Sequence, residues 1–554
     1  MPFRIKPLSL AGRIFQRSVL ILLGLLLSLL GLLPLEFHYR AHPMPEEAFQ
    51  SRLRMMRLYN DSQKPPYLTV DRNGRPHLIR NDRTVLQRPN KFSFIPLRKK
   101  PGRRRIVVLG ESSAEFLGNQ LAQTLRRNRY DVMNCALSGC DLRMLERRFD
   151  EAVHYDPDLI ILMFGHNFQY DLKSDSLFFR YYEPWAGVLG RSALFRQISL
   201  GFPVEIRLSP DPESAHRRRY QCFLYRVART AKTLDVPVIL CTLPANLLFP
   251  CFADIPETTD PSYLDALFTY YQGRTREAIP LLEHHLSHHD LLETHFRIGN
   301  WYLKEGLTEK AYGHLQSIVG NEPLRDRATK ALNDMIRSIS AEKGFVLFDV
   351  EKDIRAIASN GIPGWDLFFD NCHVDRNALR WEAARCLDII DSNIWKIVPE
   401  DVRTPARPFV PKKNDVYADP AVYYSFPLTE ETSYWTKYLF ESSRRSGDTE
   451  QIIERFMEYK KRSGGASFSD ANMAHYYLEF SKGAHMADQT QTALDYAKIA
   501  ARLSPGWGNP HYYMGVYHLQ SQNRPEARRS FKKTLELDPD NTTARYFLQK
   551  LEDL

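Results

Sequence analysis

Hydrolytic chemistry at neutral pH needs a nucleophile, a base that can take its proton and donors for the charge that develops. A few short segments of this 554-residue chain supply those types. Ser112 stands in Gly110-Glu111-Ser112-Ser113, directly after the apolar run Ile106-Val107-Val108-Leu109 and before an amphipathic stretch. A serine at that junction presents its hydroxyl at a sheet edge, near the positive end of a helix. Asp370-Asn371-Cys372-His373 lies just ahead of a helix predicted over 377–390. A histidine three residues after an aspartate can accept the serine proton while the aspartate holds its other nitrogen. Gly139, in Asn134-Cys135-Ala136-Leu137-Ser138-Gly139, lets a backbone N–H come close to an oxyanion. Asn167, in Gly165-His166-Asn167, adds an uncharged amide donor. Plainer uses exist for each: a turn glycine, an Asx-turn at Asn167, and an N-cap at Asp370 for the following helix.

These segments follow predicted strands. Continuous apolar runs over 106–110, 132–137, 159–164, 236–243 and 345–350 alternate with helical patterns over 114–127, 142–154, 217–233 and 377–390. Strands without polar alternation, separated by helices, predict a parallel sheet covered on both faces. In such sheets ligands bind beyond the carboxyl ends of the strands, where the four segments fall. The alternation stops over 259–342, which reads as all helical, so the sheet domain is predicted to be split by an insert. Its position between the fourth and fifth strands suggests a lid.

The insert repeats itself. Gly273 and Ala278 recur as Gly306 and Ala311, 33 residues on, with Gly299 and Pro323 twelve residues either side of Ala311. Gly515, Ala527, Phe531 and Pro539 show the same internal spacing, and Ala493, Ala500 and Pro505 precede Ala527, Thr534 and Pro539 by 34. Both regions resemble the tetratricopeptide repeat, in which small residues let paired helices pack closely.

The set Ser112, Gly139, Asn167 and Asp370 with His373, in that order, resembles the SGNH (GDSL-like) hydrolase family over roughly 101–258 and 343–395. Thr242-Leu243-Pro244-Ala245-Asn246-Leu247 and Gly361-Ile362-Pro363-Gly364 are similar to the membrane-anchored branch fused to tetratricopeptide repeats. The resemblance implies a three-layer, doubly wound, flavodoxin-like parallel α/β sheet. It implies Ser112 as nucleophile, His373 as base and Asp370 as its orienting partner. The oxyanion would be held by the Ser112 and Gly139 N–H groups and the Asn167 side chain, with no cofactor. Glu111 stands in place of the aspartate of the family's name motif, Phe168 where an acidic residue often follows, and Val374 in place of a frequent proline.

Between Arg17 and Glu36 there is no charge. Eighteen residues at about 1.5 Å each reach roughly 27 Å, enough for one transmembrane helix. No small-residue cleavage site follows Leu33, which favours an uncleaved anchor over a signal peptide. Arg4, Lys6, Arg13 and Arg17 precede the span and Arg40 follows it, which predicts a cytoplasmic N-terminus and a periplasmic or extracellular body. The predicted organisation is therefore a cytoplasmic segment (1–17), a transmembrane helix (18–35) and a juxtamembrane spacer (36–100) with strand-like pieces at 67–70 and 77–79. The hydrolase domain follows in two parts (101–258, 343–395) around the insert (259–342), then a Pro-rich linker (396–435) and a C-terminal repeat domain (436–554).

Composition agrees with several sizeable cores: 43% hydrophobic, 25% charged and 12% aromatic residues, with a net charge of +9. So mild a basic excess excludes a nucleic-acid partner. Seven cysteines argue against a disulfide scaffold. Cys140 and Cys372 flank the expected site and either pair or stay as buried thiols. The basic run 98–105 reads as solvated surface or as a contact for lipid phosphates or an anionic polysaccharide. No metal site is expected: His284, His285, His288 and His289 share a predicted helix without a carboxylate or cysteine at ligand spacing. The expected activity is an esterase or acyl-hydrolase, or an acyltransferase if a sugar hydroxyl replaces water. The expected partners are an acyl-ester substrate, such as an acylated glycan or a lipid ester, and a protein or peptide gripped by the repeats. A competing expectation is an inactive hydrolase fold serving a repeat-based envelope scaffold.

Overall fold

The computed structural model describes residues 34, 37–38, 65–81, 94–125, 130–167, 212–250, 260–321, 327–395, 436, 449–464 and 469–554. The predicted transmembrane span (apart from Pro34), Cys251, Phe168, Pro323 and all of the 396–435 linker lie outside them. Among the described residues no helix is long and apolar enough to cross a membrane. Contacts divide the chain into two units, residues 1–64 with 170–218 and residues 65–169 with 219–554. Of the first unit only Pro34, Phe37 and His38, all helical, and the 212–218 opening of a helix are described.

The centre of the second unit is a five-stranded parallel sheet. In chain order the strands are β4 (Arg104–Gly110), β5 (Tyr130–Asn134), β6 (Leu159–Met163), β7 (Val238–Cys241) and β8 (Val346–Phe348), arranged β5-β4-β6-β7-β8. Ile106 to Leu109 and Leu159 to Met163 are almost fully excluded from solvent. Helices cover both faces of such a sheet, which is why these strands read as unbroken apolar runs. The helices positioned in sequence between strands include α1 (Ser112–Thr124), α2 (Leu142–Ala152), α3 (Pro212–Leu234) and, after β8, α10 (Arg376–Ile389). The order reverses direction between β4 and β6, which places the crevice of a doubly wound sheet at their carboxyl ends.

The segment expected as a spacer orders from residue 65. Strands β1 (Tyr67–Asp71), β2 (Pro76–Arg80) and β3 (Phe94–Pro96) form an antiparallel sheet of their own. It is fastened to the parallel sheet by buried polar links. The Tyr67 hydroxyl accepts the Asn134 N–H at 2.9 Å, and the buried Arg105 guanidinium donates to the carbonyls of Tyr155 (2.6 Å) and Pro96 (2.8 Å). The basic run is correspondingly not a free cationic patch. Lys99 pairs with Asp158 at 2.8 Å, Arg103 with Asp131 at 2.6 Å, and Arg104 lies over the Trp395 ring.

The insert folds as α4 (Pro261–Tyr271), α5 (Thr275–His288), α6 (Leu292–Lys304) and α7 (Thr308–Ile318), then α8 (Lys330–Lys343) returns to the sheet, and α9 (Val350–Ile357) follows β8. The C-terminal region adds α11 (Thr449–Gly464), α12 (Asp470–Met486), α13 (Thr490–Leu503), α14 (Asn509–Gln520), α15 (Arg524–Leu537) and α16 (Thr542–Glu552). Insert and tail share one apolar core. Phe547 of α16 meets Phe268 (centroids 5.4 Å) and Tyr271 (6.0 Å) of α4, and the Tyr546 hydroxyl donates to Asp265 at 2.8 Å. Ala278, Ala311 and Ala527 of the repeated spacing are fully buried, and Phe531 lies on Gly515.

Candidate active site

The chain leaves β4 through Gly110, whose φ of +145° and contact with the Met163 carbonyl leave no room for a side chain: a Cβ there would lie 1.8 Å from that oxygen. That close approach sets Glu111 and Ser112 at the start of α1. Glu111 stands at the N-cap of α1 but gives the helix no side-chain hydrogen bond. Its carboxylate instead crosses to the end of β6. There Oε1 accepts the N–H groups of Gly165 (3.1 Å) and His166 (2.6 Å), and Oε2 accepts that of Asn167 (3.0 Å). Full burial pushes the Glu111 carboxyl up to about 7, against the opposing pull of those donors. The residue that stands in place of the motif aspartate is thus the clamp on the Gly165–Asn167 turn.

Ser112 and His373 are 261 residues apart in sequence and meet at 2.6 Å between Oγ and Nε2. On the other side of the ring, His373 Nδ1 lies 2.6 Å from Asp370 Oδ2. The second carboxylate oxygen accepts the N–H groups of Cys372 (2.9 Å) and His373 (2.7 Å), which closes the Asp370–His373 loop on itself. The helix-capping use weighed for Asp370 falls to Asp375, which accepts the Ala378 N–H at 2.7 Å at the head of α10. Phe369 stacks on the imidazole (5.5 Å, 9°) and Phe116 meets it edge-on at 5.2 Å, so the ring is fixed from two sides. Asn246, absent from the sequence-derived site, holds this loop from below. Its Nδ2 donates to the Asp370 carbonyl at 2.9 Å, and its own carbonyl accepts from the buried Arg327 at 2.7 Å.

Asn167 reaches beyond its own loop; the residues that the Asx-turn considered for it would use lie outside the described ones. Its Nδ2 donates across the crevice to the Cys140 carbonyl at 2.9 Å, which leaves the second amide hydrogen uncommitted by that bond. Gly139 adopts φ +73°, and the turn that carries it is pinned from α1. Glu115 Oε2 accepts both the N–H (2.9 Å) and the hydroxyl (2.7 Å) of Ser138, while Glu115 Oε1 pairs with Arg80 of β2 at 2.5 Å. The β1–β3 sheet thereby supports the glycine turn. Ser112, Gly139, Asn167, Asp370 and His373 all lie on segments that open at the carboxyl ends of β4, β5 and β6 or on the loop that closes over them.

The return arm of the insert forms part of this floor. The Ala328 N–H donates to His166 Nδ1 at 3.0 Å, and Asn333 exchanges two hydrogen bonds with Leu243 beyond β7 (3.0 and 2.9 Å). Burial holds His166 well below its usual range, at about 3, so it stays neutral and serves as an acceptor in the wall. Cys140 and Cys372 are both buried thiols with no disulfide between them, so the pairing raised for them is not formed. Cys140 Sγ instead donates to the Asp141 carbonyl at 3.3 Å. Asp370, Cys372 and His373 bring a carboxylate, a thiol and an imidazole within 4.8 Å, but the imidazole nitrogen in that group is the one engaged by Asp370.

No family model matches this sequence, and no curated protein matches it. Among solved structures, the chain is similar to a GDSL-like lipase from Bacteroides thetaiotaomicron. Identity is 12%, the match covers 53% of this chain and 86% of that one, and the TM-score is 0.25. So loose a likeness adds no support to the site, which stands on the distances above.

Proposed function

We propose that this protein is a serine acyl-ester hydrolase of the SGNH, GDSL-like type. The carrying observation is the continuous Ser112–His373–Asp370 hydrogen-bond chain at a strand-to-helix turn. In the reaction, Ser112 Oγ attacks the ester carbonyl as His373 Nε2 takes its proton, and Asp370 steadies the imidazolium. The oxyanion is received by the Ser112 and Gly139 N–H groups and the second amide hydrogen of Asn167. Collapse returns the His373 proton to the departing alcohol and leaves an acyl-serine. A water molecule, deprotonated by His373, then attacks that ester and restores Ser112. If a sugar hydroxyl takes the place of water, the same steps transfer the acyl group.

The finer reading follows the sequence. The protein is anchored by residues 18–35 with its N-terminus cytoplasmic and its body periplasmic or extracellular, and its substrate is an acylated glycan of the envelope. The helical hairpins act as tetratricopeptide repeats that hold a protein partner. The test is short-chain ester turnover and fluorophosphonate labelling of the native protein and of Ser112→Ala. Both signals in the native protein and neither in Ser112→Ala support the proposal. A well-folded native protein that shows neither points to the scaffold alternative.

A further inference from the structure

The helical insert brings together a second chemical group, remote in role from the triad. Asp260 caps α4: its Oδ1 accepts the Ser262 N–H at 2.8 Å and the Ser262 hydroxyl at 2.7 Å. That leaves Oδ2 facing the far end of α5, where it lies 3.3 Å from His285 Nδ1 and 3.4 Å from His289 Nε2. Ser262 Oγ is also 3.3 Å from His285 Nδ1. All three ligand-type atoms fall within 4.8 Å of one another.

The spacing is informative. A charge-assisted hydrogen bond between histidine and carboxylate closes to about 2.7–2.9 Å, and His373 with Asp370 in this same protein closes to 2.6 Å. Two histidines held at nearly equal and longer distances from one oxygen match a different geometry. Bonds of about 2.0–2.1 Å at a tetrahedral angle separate neighbouring ligand atoms by about 3.3–3.4 Å. We propose that Asp260, His285 and His289 bind a zinc-class divalent transition metal. The carboxylate missing from the histidine-rich helix is thus supplied from 25 residues upstream.

The surroundings fit that role. Asp260 is oriented by its two bonds to Ser262, the kind of outer contact that fixes a ligand. His285 is only 2% exposed, whereas His289 has more than half of its side chain in solvent. The cluster is therefore open to solvent on the His289 side. The end of α5 is the negative pole of that helix and favours a cation. A bound ion would pin the start of α4 to the end of α5 where the chain enters the insert.

The test uses the full-length protein purified without a polyhistidine tag, stripped with chelator and titrated with zinc chloride against a chromogenic competitor. About one equivalent is expected to bind tightly, and His289→Ala and Asp260→Asn are each expected to weaken it by more than the 10–100-fold typical of an outer-shell loss. His284→Ala with His288→Ala, on the same helix, should leave binding unchanged. Cobalt should give the intense visible bands of a tetrahedral site in the native protein but not in His289→Ala. Unchanged zinc affinity in His289→Ala, with an unaltered apo melting temperature, would overturn the proposal, as would no tight equivalent in the native protein.

Discussion

Replacing Glu111 by glutamine probes the clamp that has no counterpart in the triad itself. The carboxylate satisfies three N–H groups, two on Oε1 and one on Oε2. In glutamine the amide oxygen can keep the Gly165 and His166 donors, but the amide nitrogen then faces the Asn167 N–H, donor against donor. One buried N–H is left unsatisfied, at a cost of about 1–3 kcal/mol. If the strain is relieved by rotating Asn167, its side chain leaves the oxyanion position; complete loss of one such donor lowers kcat by roughly 10²–10³-fold. A fall in kcat of about 10–100-fold is therefore expected for Glu111→Gln at pH 8, with little change in KM, measured on a p-nitrophenyl ester. The pH dependence has a definite sign. Glu111 titrates at about 7, so below that pH the native carboxyl also loses an acceptor and the native-to-variant ratio should shrink. In an Asn167→Ala background the Glu111→Gln effect on kcat should largely disappear, because the donor it positions is already gone. A ratio near one at pH 8, or an undiminished effect in the Asn167→Ala background, would refute the positioning role and leave Glu111 as a stability residue only.

Glu382 is buried in α10 with one carboxylate oxygen lacking any partner, and burial pushes it up to about 8. The folded state retains a proton that the unfolded chain releases, so stability falls as pH rises from about 4.5 to 8. At about 1.4 kcal/mol per unit, urea unfolding of the native protein should lose on the order of 3–4 kcal/mol more than Glu382→Gln between pH 4.5 and 7.5. Asn246→Ala removes the support beneath Asp370 and should lower kcat by about 10-fold or more while fluorophosphonate labelling slows in parallel; unchanged labelling would contradict the role. Phe547→Ala deletes a fully buried ring between tail and insert and should cost about 3–5 kcal/mol, read as a lowered urea midpoint; an unchanged midpoint would contradict the shared core.

What could be read from the sequence was whatever burial writes locally. β4 and β6 are enclosed on both faces, so their apolar runs located them, and the motif segments at their ends followed. Strand limits shifted where tertiary bonds decide. The second strand stops at Asn134 rather than Leu137, because the Asn134 amide turns to α1, donating to the Glu115 carbonyl at 2.8 Å. The fifth shrinks to Val346–Phe348 because Asp349 starts α9 and accepts from Arg337 at 2.8 and 2.9 Å. The polar clamps were illegible for a related reason. Glu111, Asn246 and Asp260 each act on a partner that only the fold brings near, so even the motif positions of Glu111 and Asn246 do not reveal what they hold. The β1–β3 sheet was missed as a body because its short strands owe their order to Arg80, Arg105 and Tyr67, which reach into another layer.

The shared core of insert and tail has a physical reason that bears on the site. Paired helices cannot bury their apolar faces alone; each hairpin needs neighbours on both sides. The insert's two hairpins are too few, and the C-terminal helices supply the missing side through Phe547, Phe531 and Tyr512. The same core continues into the sheet domain, where Leu247, Phe249, Ile362 and Trp365 belong to it. Those residues sit on the two segments that shape the Asp370 loop. Trp365 Nε1 donates to the Leu248 carbonyl at 3.0 Å, and Asn246 stands two residues before Leu248. A cluster that begins in the last helix of the chain thus ends against the support of the histidine–aspartate pair. Close-packed interiors respond to lost volume beyond the point of change, so the helical hairpins and the support of the Asp370 loop rest on one continuous core.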